Sequence, residues 1–156
     1  MATLIVTLTE SVSLNDREQG ATNSFTISNV DEVMKRIVTC LTGVDTTIAT
    51  FKSTTAVGDN ALDVEDVRYI RVTNLDSTNP VNLSLQIDAG EDDSAADESA
   101  TILIEAGKSF IMGTPSDGIA VADNAATLID ALHNLESLLV DPLSNEVQVE
   151  VFIASA

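Results

Sequence analysis

The chain has 156 residues, 44% of them hydrophobic, with 7 Lys plus Arg against 25 Asp plus Glu and a formal net charge of −18. Such a length bounds one domain, residues 1–156, with a real core, and the apolar content excludes a disordered polar chain that could not bury enough surface to offset its ordering entropy. The charge excludes nucleic acid as a partner, since phosphates are met by cationic side chains, and argues in the same way against an anionic membrane surface.

β-Branched residues dominate: 17 Thr, 16 Val and 12 Ile. Their side chains are stiff at χ1 and suit a pleated surface. In chain order the expected strands are 2–14, 22–29, 33–41, 46–53, 67–75, 80–88, 100–105, 108–114, 136–141 and 146–154. Apolar residues alternate along the clearest of them. Leu4, Val6 and Leu8 form one row, Val81, Leu83, Leu85 and Ile87 a second, and Val147, Val149, Val151 and Ile153 a third. Period two places each row on one face of a strand. Turn residues separate the runs: Asn15-Asp16 with Gly20, Gly43, Gly58-Asp59-Asn60, Asp76 to Pro80, Ala106-Gly107, Pro115 to Gly118, and Pro142 to Asn145. Short strands spaced in this way predict an all-β antiparallel sandwich or barrel with at most one or two short helices. The one helical pattern is Ala125, Leu128, Ile129, Leu132 and Leu135 within 124–139, with Asp123 as N-cap, which predicts a short helix over 124–133. Residues 88–98 hold six carboxylates and no side chain larger than Ala among their apolar residues, and read as an exposed loop between two strands.

Candidate chemistry is sparse. His133 is the only histidine, so a Ser-His-Asp or Cys-His site would have to use it, and no companion motif accompanies it. Cys40, the only cysteine, lies in the apolar run Ile37–Leu41 and reads as a small hydrophobe. One Cys and one His cannot build a zinc site. Paired carboxylates are available, but sugar hydrolases commonly add aromatic platforms, and this chain has four Phe, one Tyr and no Trp. Calcium is the one metal that Asp88, Glu91, Asp92, Asp93, Asp97 and Glu98 would suit, yet their spacing departs from the EF-hand pattern and a solvated loop is the simpler reading. Asn82-Leu-Ser84 matches a glycosylation pattern inside an expected strand and is taken as chance. The opening MATLIV has no basic n-region, and no apolar run approaches the roughly 20 residues of a membrane span. The expectation is a protein made in a reducing cytoplasm.

Four strings occur in order: TESVSLN at 9–15, YIRVTNLD at 69–76, IEAGKSF at 104–110 and VQVEVFIA at 147–154. Together they resemble small virion proteins of tailed bacteriophages, of the cyanophage and marine-phage type. The resemblance implies a jelly-roll-like β-sandwich and a role in capsid decoration (cement), head fibre or tail. It implies no catalytic residue and no cofactor.

The residues point the same way. Ile5, Tyr69, Leu103, Ile111 and Phe152 sit on the faces opposite the main apolar rows, with Leu75 in the same position. A monomeric sandwich has limited use for them, so they are the interface candidates. The expectation is a non-enzymatic homotrimer in the virion whose partners are its own copies and the major capsid protein or another virion protein. A tail or fibre protein and a lectin-like receptor-binding module are the alternatives.

Overall fold

A computed structural model describes residues 1–56, 58–88, 98–114, 116, 118–121 and 132–156. Those residues form fourteen strands and no helix. In chain order they are β1 (Ala2–Thr9), β2 (Ser13–Leu14), β3 (Arg17–Glu18), β4 (Thr22–Val30), β5 (Glu32–Cys40), β6 (Thr46–Lys52), β7 (Leu62–Asp63), β8 (Val67–Asn74), β9 (Val81–Asp88), β10 (Glu98–Ile104), β11 (Ser109–Gly113), β12 (Ala120–Val121), β13 (His133–Pro142) and β14 (Val147–Ser155).

Two sheets make the sandwich. One is four-stranded in the order β11-β8-β14-β5; the other runs β10-β9-β13-β6-β7, with β12 also paired to β13. Pairing is antiparallel except where β6 meets β7 in parallel over Phe51–Lys52 and Leu62–Asp63. The long strands pair in a nested way. β9 pairs with β10, β8 with β11, β6 with β13 and β5 with β14, so each partnership encloses the one before it.

The alternating rows meet between the sheets. Val147, Val149, Val151 and Ile153 of β14 join Ile70 and Val72 of β8 in one buried cluster. Across the gap lie Ile48 and Phe51 of β6, Leu83 and Leu85 of β9, Ile104 of β10, and Leu138 and Val140 of β13. Aliphatic side chains of this kind contribute about 1.5–3 kcal/mol each when fully buried. Arg36 of β5 points into the same gap, where its guanidinium donates to the Ile48 carbonyl of β6, with Nε 3.1 Å away. One charged side chain thus ties the edge strand of one sheet to the other sheet.

A third layer lies outside. β1 and β4 form a separate two-stranded ribbon that packs on the outer face of the four-stranded sheet. Leu4, Val6, Phe25 and Ile27 of the ribbon cluster with Tyr69 of β8 and with Phe152 and Ala154 of β14.

Several expectations need correction. The strand expected over 2–14 is broken at Glu10–Val12 into β1 and β2. The helix expected over 124–133 lies mostly outside the described residues, and its last residue, His133, instead starts β13, paired with Val121. A cross-strand partner supplies that residue with backbone bonds a helix would have supplied locally. Of the loop expected at 88–98, Asp88 is the buried last residue of β9 and Glu98 the first of β10, while 89–97 lie outside the described residues.

Candidate assembly surface

The β1–β4 ribbon is the sheet-bound base of a longer hairpin. At its far end β2 and β3 pair through Ser13↔Glu18 and Leu14↔Arg17. Asn15 and Asp16 close it with φ of 52° and 60°. Two successive left-handed residues make the type I′ turn whose twist matches a hairpin, and Asn and Asp tolerate that conformation best among residues with a Cβ.

A kink joins the two parts. Glu10 N–H donates to the Ala21 carbonyl at 2.8 Å, and Gln19 N–H to the Val12 carbonyl at 2.8 Å. The Glu18 carboxylate closes the kink by accepting from Val12 N–H at 2.9 Å and Gly20 N–H at 2.8 Å. Those amide bonds hold the Glu18 carboxyl below its ordinary value, since they favour the charged form. Gly20 is needed for space: a Cβ there would stand 2.0 Å from the Glu10 carbonyl oxygen.

The hairpin crosses the sheet and leaves it at the β11 edge. Gly113 of β11 marks the crossing, because a Cβ on it would meet Tyr69 Cδ2 at 3.2 Å and Phe25 Cζ at 3.4 Å. Beyond Val6 and Phe25, every residue from Thr7 to Ser24 except Gly20 is exposed. Among them are three large apolar side chains, Leu8, Val12 and Leu14, which are 45%, 54% and 62% exposed.

The expected interface residues separate into two groups. Ile5, Leu103 and Ile111 are exposed, on the outer side of β1, on β10 and on β11. Tyr69 is instead buried, and Phe152 half-buried, because the chain's own hairpin covers them. Their rings meet edge to face at 5.9 Å, and Phe25 adds a tilted contact to Tyr69 at 6.3 Å. Burial pushes the Tyr69 hydroxyl above its ordinary pKa.

Beside the hairpin the outer sheet face stays open. Arg71 lies 6.0 Å above the Phe152 ring and binds Glu150, which Lys35 also reaches at 3.4 Å. The hydrogen bond from Arg71 is the main reason the Glu150 carboxyl lies below its ordinary value. On edge strand β5, Val33 and Ile37 flank Lys35 on this face and are 52% and 58% exposed. Val33, Ile37, Leu8, Val12 and Leu14 are not among the sequence candidates. Leu8 was legible as the end of the row Leu4, Val6, Leu8; the exposure of the others depends on which face the hairpin covers.

Cys40 is buried in the core, and desolvation raises its thiol pKa. Among the described residues no three of His, Cys, Asp and Glu come together as a metal site. Comparison with protein-family models, with curated proteins and with solved structures gave no match.

Proposed function

We propose that this chain is a non-enzymatic virion structural protein of a tailed bacteriophage, a capsid decoration (cement) protein that assembles as a homotrimer on the coat. The observation that carries this reading is the hairpin overhang. An ordered arm stands outside the core with Leu8, Val12 and Leu14 exposed, where a monomer leaves apolar surface in water. The nested strand pairing supports the jelly-roll part of the reading, since it is the order obtained by winding one long hairpin into two Greek keys. The charge of −18 supports it too: it opposes association beyond a closed unit and favours a basic coat surface as the partner. Exposed Ile5, Leu103 and Ile111 supply further contact area. A tail or fibre protein would use the same features at another place in the virion.

A lectin-like receptor-binding module is the second reading. It is favoured by a shallow groove on the larger sheet, lined by Asn82, Ser84, Gln86, Thr101 and Asp141, whose amides and hydroxyls suit sugar hydroxyls. No aromatic ring lines that groove, which weighs against it.

Symmetry-averaged electron microscopy of the particle tests the main reading. Density for this chain at threefold positions on the capsid is the expected result; density confined to the tail supports the fibre alternative. Binding of the purified protein to undecorated capsids should weaken as salt rises.

A further inference from the structure

The hairpin leaves the four-stranded sheet at β11, and the open apolar residues Val33 and Ile37 lie on β5, the opposite edge of the same sheet. We propose that the overhang of one copy lies across the β5 side of the next copy, with Leu8, Val12 and Leu14 covering that copy's Val33 and Ile37. The proposal rests on the assembly reading above and names the residues of the contact.

The packing within one chain is the first support. The ribbon already binds this sheet face through Leu4 and Val6, and Leu8 continues their row beyond the sheet edge. A neighbour's copy of the same outer face extends the surface to which that row is fitted. Reach is the second. The seven steps from Thr7 to Leu14 span at most about 23 Å at roughly 3.3 Å per residue, shortened by the kink, which still exceeds the roughly 4.8 Å between neighbouring strands several-fold.

Charge is the third. Lys35, which also reaches Glu150 at 3.4 Å, stands between Val33 and Ile37 with its side chain 60% exposed, and the overhang brings the exposed carboxylates of Glu10 and Asp16 toward it alongside a single Arg17. Order is the fourth: the Asn15–Asp16 turn and the Glu18 clamp set the arm's shape before contact, which lowers the ordering cost of docking. A contact from one edge to the opposite edge is head-to-tail, and it ends in a ring when the rotation closes.

Disulfide trapping and light scattering test the contact. With buried Cys40 left in place, Leu14→Cys combined with Ile37→Cys should form disulfides between chains on mild oxidation. Leu14→Cys combined with Leu103→Cys, on the other sheet, should not. Leu8→Glu with Leu14→Glu, and separately Ile37→Glu, should reduce the mass in solution to that of one chain. All these sites are exposed, so the melting temperature of the sandwich should be retained. A wild-type oligomer that gives no 14–37 link and keeps its mass in both charge variants overturns the arm contact while leaving assembly intact. A wild-type protein that is monomeric at micromolar concentration overturns both.

Discussion

Tyr69 and Phe152 meet edge to face, with ring centroids 5.9 Å apart and planes inclined by 72°. Neighbouring strands of one sheet, β8 and β14, bring them together on the outer face, and the hairpin of residues 2–30 covers the pair. The pair is the surface on which the third layer sits, and Phe25 of β4 reaches it from the hairpin, 6.3 Å from Tyr69. Two of the three aromatic side chains, Tyr69 and Phe25, come from different layers.

Phe152→Ala should therefore loosen the hairpin before the sandwich. The side chain is half-buried, so the expected loss is about 2 kcal/mol, below the range for a fully buried Phe. Hydrogen exchange should show β1 and β4 losing protection at denaturant concentrations where β9 and β13 keep theirs. Equal loss in both layers would contradict a separately fastened hairpin.

Asn74 makes a second specific tie. It is fully buried, its amide donating to the Asn79 carbonyl at 2.8 Å and the Ile104 carbonyl at 3.2 Å, while its Oδ1 accepts from Asp76 N–H at 2.9 Å. The turn 74–79 and the end of β10 are held together in this way. Asn74→Ala strands three buried or partly buried groups and should cost about 2–3 kcal/mol, and Asn74→Asp should not restore it, because a carboxylate cannot donate to the two carbonyls. Chemical denaturation of the three proteins checks this.

The arm should respond to acid at its kink. The Glu18 carboxyl lies below its ordinary value of 4.5 in the fold, first because Val12 N–H binds it and then because Gly20 N–H does. A depressed carboxyl contributes its stabilisation fully above the unfolded value and loses it as pH falls through the lower folded value. Amide resonances of Val12 and Gly20 should shift with one titration centred below 4.5, and Glu18→Gln should abolish that transition. A titration at or above the ordinary value would contradict the clamp.

Cys40 should be silent toward thiol reagents in the folded protein. It is buried, and burial disfavours the thiolate that reacts. Modification with a chromogenic disulfide should proceed only at the rate of unfolding and reach one thiol per chain in denaturant. Fast labelling of the native protein would place Cys40 outside the core.

Local sequence was enough for most of the long strands, because period-two alternation and turn residues act over a few positions, but not for the short β3, β7 and β12 or the break between β1 and β2. The row Val147, Val149, Val151 and Ile153 is fully buried as its spacing requires, and Asn15-Asp16 turns the hairpin as its residue types require. What local pattern could not decide is which of two apolar faces finds a cover within the same chain. Tyr69 and Ile111 both oppose the main rows on paired strands, yet Tyr69 is 5% exposed and Ile111 37%, because the hairpin crosses one and passes beside the other. His133 shows the same limit: a helical spacing was legible around it, but β13 is placed by its pairing with β6 and β9, far away in sequence, and His133 starts it opposite Val121 of β12. Exposure of Leu14 and Ile37 likewise follows from where the hairpin leaves the sheet, a property of packing between layers that no window of sequence contains.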